Sequence, residues 1–266
     1  MGPMKVFSET VGADAAKLTC YVLDSSDELA TAAIRPAVLV LPGGGYFFTS
    51  DREAEPIALA YLAEGFNAFV LRYAVGPESP FTKSLADAEA ALAWIRANAA
   101  ELNIDPAKVA AVGFSAGGHL AASLGVVEVR PDALVLGYPV TLEEFGPPIG
   151  KEILDIPSHV DAATPPTFLF STSDDTVVPI RNSVDLLSAL AAHRVPFESH
   201  IYLLGPHGLS LSKRLTANGR ADMAEPSVVP WLADSVRFLH TVFGDFAVEG
   251  EPESYRTLLN RRRTDA

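Results

Sequence analysis

Val109-Ala110-Ala111-Val112-Gly113-Phe114-Ser115-Ala116-Gly117-Gly118-His119-Leu120-Ala121-Ala122 is the stretch on which the fold turns. It opens with an apolar run of strand length and closes with small and apolar residues compatible with a helix. Between them stands G-x-S-x-G, whose physical logic is crowding. A sharp strand-to-helix turn lifts the serine oxygen above the sheet, and only small flanking residues let strand and helix pass closely. Gly113 and Gly117 supply that smallness, so the stretch predicts strand, tight turn and helix, with Ser115 as a candidate nucleophile.

Outward from this point the same rhythm repeats. Apolar runs of strand length fall at 37–41, 68–71, 109–114, 133–136, 167–170 and 200–204, and helical patterns at 51–64, 82–100, 116–125, 180–192 and 231–243. Five of the strands are near-continuous apolar runs, as strands buried on both faces are. Alternating strand and helix predicts an α/β fold, a mostly parallel doubly wound sheet with helices on both faces. Residues 17–23 are expected to add an antiparallel edge strand. Ser50 and Glu53, three residues apart, read as a capping box. The irregular, proline-rich segment 141–166 reads as a short cap loop with a short helix around 151–154, and 247–266 as a polar C-terminal tail. Met4 is a second candidate start after Met1-Gly2-Pro3.

Composition bounds the function. At 266 residues, 48% hydrophobic and 20% charged, the chain reads as one globular domain over 1–266. No apolar run approaches the roughly 18 residues of a membrane span, and no signal-peptide pattern opens the chain, so no membrane partner and a cytoplasmic location are expected. The formal charge of −13 opposes nucleic acid, whose phosphates are held by lysine and arginine; Arg261 to Arg263 read as a solvated end. The one cysteine, Cys20, excludes an internal disulfide or a thiolate metal cluster.

Three further segments complete a candidate site. Pro42-Gly43-Gly44-Gly45-Tyr46 ends a strand in glycines, where the backbone N–H groups of Gly44 and Gly45, with that of Ala116, can form an oxyanion hole. No lysine follows as in a phosphate-binding loop, and the third glycine of G-x-G-x-x-G is replaced by Phe48. Tyr46 is expected to bind substrate, with Phe47 either beside it or in the core. After the run at 167–170 come Asp174 and Asp175, one of them a candidate acid and either of them a plain turn residue. His207, on a loop made tight by Gly205, Pro206 and Gly208, is the candidate base and completes the chain order Ser, Asp, His. His119, His159, His193, His200 and His240 read as structural. No H-E-x-x-H or H-x-x-x-H spacing exists, so no metal and no cofactor is expected.

The segments LPGGGYFFTSDREAEPIALAYLAEGFNAFVLRY, DPAKVAAVGFSAGGHLAASLG, PPTFLFSTSDDTVVPIRNS and GPHGLSL, in that order, resemble the bacterial acetyl esterase and lipase-like α/β hydrolases, whose relatives include acetyl xylan esterases and feruloyl-esterase-like enzymes. The resemblance selects Asp175, four residues before Pro179, through the family's D-x-x-V-P element. It implies a serine carboxylesterase acting on short-chain acyl esters, acetyl esters of carbohydrates among them, with catalytic Ser115, Asp175 and His207. The expected partner is a small ester such as an acetylated sugar, and a homo-oligomer is compatible with the sequence. The chain departs from many relatives in carrying Leu41-Pro42 where a histidine precedes the glycines, and Ser171 where some have histidine. Alternatives are a peptidase or long-chain lipase on the same fold, or a non-catalytic ligand binder.

Overall fold

The computed structural model describes residues 4–13 and 15–248. Eight strands form one sheet: β1 (Met4–Val11), β2 (Ala16–Leu23), β3 (Arg35–Leu41), β4 (Asn67–Arg72), β5 (Ile104–Phe114), β6 (Ala133–Gly137), β7 (Thr167–Thr172) and β8 (Phe197–Tyr202). Their order across the sheet is β1-β2-β4-β3-β5-β6-β7-β8. The pairings β1–β2 and β2–β4 are antiparallel and the others parallel.

Both faces of the central strands are dry. In β3, Ala37, Leu39 and Leu41 join one apolar cluster, while Val38 and Val40 join the other. The first face is covered by α2 (Phe81–Ala97), α3 (Ala116–Leu124) and α5 (Arg181–Ala192); the second by α1 (Glu55–Ala63) and α6 (Trp231–Phe243). Helix α2 shows why it docks: Phe81, Ser84, Ala88, Ala91, Leu92 and Ile95, spaced by three and four residues, form one buried stripe. Each large aliphatic side chain hidden in this way contributes about 1.5–3 kcal/mol. A short helix α4 (Ile156–His159) lies in the segment expected as a cap loop. Among the described residues, no helix is long and apolar enough to cross a membrane.

Several expectations need correction. Residues 17–23 do belong to an antiparallel strand, but β1 lies outside it and forms the edge. β1 is mostly exposed, and its Met4, Val6, Phe7 and Val11 are interrupted by Lys5, Ser8, Glu9 and Thr10, so it carries no continuous apolar run of its own. The last strand lies at Phe197–Tyr202 rather than 200–204, because backbone pairing with β7 runs from Thr167 opposite Phe197 to Thr172 opposite Tyr202. Leu203 and Leu204, which suggested the later strand, are 77% and 54% exposed beyond it. The short helix in the cap segment starts at Ile156 after the Asp155 cap, not at 151–154, because the Asp155 side chain accepts from the Ser158 N–H. The capping box does not form. Ser50 makes no side-chain cap bond, Glu53 turns inward, and a three-residue turn, Asp51–Glu53, precedes α1. The polar tail expected at 247–266 lies, from residue 249 on, outside the described residues.

Candidate active site

Ser115 is the junction between β5 and α3, with φ +53° and ψ −119°. A non-glycine residue in that region costs about 1–3 kcal/mol and persists only when its surroundings over-determine it. Here they do: its N–H donates to the Gly137 carbonyl at 3.0 Å, and its carbonyl accepts from the N–H groups of His119 at 3.0 Å and Val140 at 3.2 Å. The two flanking glycines allow the close passage. A Cβ on Gly113 would meet the Gly117 carbonyl, and one on Gly117 would meet the carbonyls of Leu41 and Pro42.

His207 stands in the loop after β8, its side chain 16% exposed. Gly205 and Gly208 beside it have φ of +142° and +82°, conformations that a side chain would strain. The loop is tied at both glycines: the Thr172 hydroxyl donates to the Gly205 carbonyl at 2.6 Å, and the Arg52 guanidinium donates to the Gly208 carbonyl. His207 Nδ1 lies 2.7 Å from Asp175 Oδ2, and Nε2 lies 2.7 Å from Ser115 Oγ. A carboxylate only accepts, so Nδ1 carries the proton and the Nε2 lone pair faces the serine hydroxyl. Asp175 is buried, and its second oxygen, Oδ1, accepts from the N–H groups of Val177 and Val178, each at 2.9 Å. Asp174, the rival, is exposed.

The glycine turn lies against the serine: a Cβ on Gly43 would come 3.1 Å from that of Ser115. Gly44 and Gly45 have φ of +132° and +63°. Among the described residues no acceptor takes their N–H groups, and the N–H of Ala116, at the first position of α3, has no acceptor within its helix. Tyr46, expected at the substrate, is buried instead, 1% exposed, its hydroxyl 2.7 Å from His119 Nδ1. Its positive φ of +64° turns the side chain under the glycines into the core among Tyr73, Phe81 and His119, while Phe47 and Phe48 stay exposed.

The remaining histidines lie elsewhere. His119 is fully buried; its Nε2 donates to the Leu154 carbonyl at 2.9 Å, which leaves Nδ1 to accept from Tyr46. Burial pushes its pKa down to about 4, against smaller upward pulls from the Leu154 carbonyl and Asp155. Glu198, His200 and Asp234 bring ligand-type atoms within 4.8 Å of one another, but Arg237 already pairs with both carboxylates, at 2.6 and 3.3 Å.

Residues 26–135 match the family model described as BD-FAE. A solved α/β hydrolase enzyme from a Medee basin deep-sea metagenome library is 43% identical, over 91% of this chain and 99% of that one, with a TM-score of 0.85. The chain is an α/β hydrolase. This hydrolase also resembles the acetyl ester-xyloside bifunctional hydrolase of Caldicellulosiruptor lactoaceticus, at 34% identity over 87% of this chain and 90% of that one, TM-score 0.74. The acetylxylan esterase of Xylanibacter ruminicola is 31% identical over 65% of the hydrolase and 40% of its own length. The hydrolase spans about a third to two fifths of the length of the curated relatives it first matches.

Sequence reasoning missed two buried residues beside the site. Glu53, read as a helix cap, accepts from the Gly43 N–H at 2.8 Å and from the Tyr138 hydroxyl at 2.6 Å. Tyr138 packs edge-on against His207, ring centroids 5.1 Å apart. The available signal was Tyr138-Pro139 directly after the apolar run of β6, a place where this sheet class builds its sites.

Proposed function

We propose that this hydrolase is a serine carboxylesterase that cleaves short acyl esters, with acetyl esters of carbohydrates as its substrates. The observation that carries the reading is His207, whose two ring nitrogens each stand 2.7 Å from a partner, Ser115 on one side and Asp175 on the other. Serine is a weak nucleophile until a base takes its proton, and the base needs a carboxylate to fix its tautomer.

In the first half-reaction Ser115 Oγ attacks the ester carbonyl carbon while its proton passes to His207 Nε2. The carbonyl electron pair moves to oxygen, and the N–H groups of Gly44, Gly45 and Ala116 donate hydrogen bonds to that oxyanion, each donor contributing about 3 kcal/mol. Collapse expels the alcohol, which takes the proton from His207 and leaves an acyl-Ser115 ester. Water, deprotonated by the same imidazole, then attacks the acyl carbon, and carboxylic acid and free serine result. No step calls for a cofactor. The acetyl and carbohydrate preference is supported by the names of two relatives, an acetylxylan esterase and an acetyl ester-xyloside bifunctional hydrolase.

Hydrolysis of p-nitrophenyl acetate, butyrate and octanoate, with acetate release from acetylated xylo-oligosaccharides, tests the reading. Acetate is expected to be the preferred acyl group, with turnover lost in Ser115→Ala and His207→Ala. Octanoate preference would replace the proposal with a lipase, and equal rates for wild type and Ser115→Ala would remove the catalytic claim.

A further inference from the structure

Glu53 is 3% exposed, and no cation pairs with its carboxylate among the described residues. Such burial costs free energy unless positioned donors offset it. The donors here belong to the two loops that flank Ser115. Oε2 accepts from Gly43, directly before Gly44, and Oε1 from Tyr138, whose hydroxyl in turn accepts from the Ser210 N–H at 2.9 Å. Arg52 grips the same histidine loop, its guanidinium on the Gly208 carbonyl and its own carbonyl accepting from the Ser210 hydroxyl. The indole of Trp231 donates to the Ser210 carbonyl at 2.9 Å. Burial, then the facing Glu53 carboxylate, holds the Tyr138 hydroxyl well above the usual phenol range, so it stays a donor. Tyr138 itself is kept at φ +37°, a strained conformation of the kind that clusters at functional sites.

We propose that Glu53, acting through Tyr138, and Arg52, acting directly on Gly208 and Ser210, form a positioning clamp that registers the glycine turn against the histidine loop, so that the N–H groups of Gly44 and Gly45 and the imidazole of His207 converge on Ser115. None of the three residues hydrogen-bonds to the reacting atoms; Tyr138 meets the His207 ring only by edge-on packing, which Tyr138→Phe retains. This rests on the serine-esterase reading above. A capping or packing role would stabilise the fold without favouring one stage of the reaction. A clamp favours the stage at which charge develops on the acyl oxygen, because the donors must already stand where that oxygen arrives.

The test uses Glu53→Gln and Tyr138→Phe in the full chain, with three readouts. The first is kcat and KM on p-nitrophenyl acetate. The second is the inhibition constant of a short alkyl trifluoromethyl ketone; Ser115 Oγ adds to its carbonyl carbon, the carbonyl pair moves to oxygen and the serine proton moves to His207. The third is hydrogen exchange at the Gly43 and Ser210 amides, which needs no turnover. The clamp predicts kcat lower by roughly 10- to 100-fold, KM within about threefold, and a ketone constant weakened by the same factor as kcat/KM. Exchange at both amides speeds up, and the double variant is little worse than either single, as for residues on one chain of bonds. Wild-type kcat and ketone affinity in both folded variants overturn the clamp. Unchanged amide exchange overturns it too, whatever the activity, whereas wild-type turnover that survives Ser115→Ala refutes the esterase reading alone and leaves exchange to decide the clamp.

Discussion

Replacing Asp175 by asparagine changes one atom and is predicted to disable the base through its tautomer. Asp175 Oδ1 accepts two backbone N–H groups and Oδ2 accepts the proton of His207 Nδ1. Asparagine has one acceptor oxygen and one NH2. With its oxygen on Val177 and Val178 it keeps two bonds, at about 1 kcal/mol each, and turns its NH2 toward Nδ1. The opposite rotamer keeps the bond to His207 but sets NH2 against two backbone donors. The first rotamer is therefore favoured by at least about 1 kcal/mol from the bond count, and by about 2 kcal/mol or more once the donor–donor clash is added, roughly 30-fold. It forces the proton onto Nε2, where the imidazole cannot accept from Ser115. Loss of the charge that stabilises imidazolium multiplies this penalty, so kcat for p-nitrophenyl acetate is expected to fall by about 10³–10⁴ with little change in thermal stability. Asp174→Asn is expected to stay within about twofold of wild type, since Asp174 is exposed beside the site. If Asp175→Asn kept a tenth or more of wild-type kcat, or if Asp174→Asn were the slower variant, the assignment of the carboxylate would be refuted.

Gly117→Ala would place a methyl group on the carbonyls of Leu41 and Pro42, backbone atoms that cannot rotate away; a loss of about 3 kcal/mol in urea-unfolding free energy is expected, and a loss under 1 kcal/mol would contradict the crowding at the turn. His119 has a folded pKa of about 4, below its unfolded value near 6.5, so the unfolded chain binds the extra proton between these limits. Its contribution is complete above pH 6.5 and is lost as pH falls toward 4, about 3 kcal/mol in all. The corresponding part of the pH dependence of unfolding should vanish in His119→Phe, and an unchanged curve would show that His119 is not the group responsible. The Cys20 thiol is buried and pushed up to about 12, by burial first and then by Glu9, so it should resist a disulfide reagent at pH 8 until the protein is unfolded; rapid native-state labelling would contradict this.

The division between what the chain spells out and what folding adds follows the range of the forces. The turn at Ser115 was legible because its requirement is local: Gly113 and Gly117 are neighbours in sequence of the residue whose strained φ they permit. The central strands were legible because buried parallel strands are apolar at every position. His207 could be singled out as a candidate because glycine and proline mark a tight loop after the last strand, whereas the residues alone left Asp174 and Asp175 open and only the family resemblance favoured Asp175. The same two-sided hydrophobicity hides which face meets which helix. Val40 and Leu41 must face opposite sides of any strand, but both are equally apolar, and only the packed sheet decides which helices each one meets. Tertiary structure alone turned Tyr46 into the core onto His119, put β1 outside β2, and drew Glu53 away from its helix to Gly43 and Tyr138. A carboxylate three residues after a serine gains from a local cap on paper. In the folded molecule two donors separated from it by 10 and 85 residues compete for it and win, and that competition exists only once the sheet has brought them together.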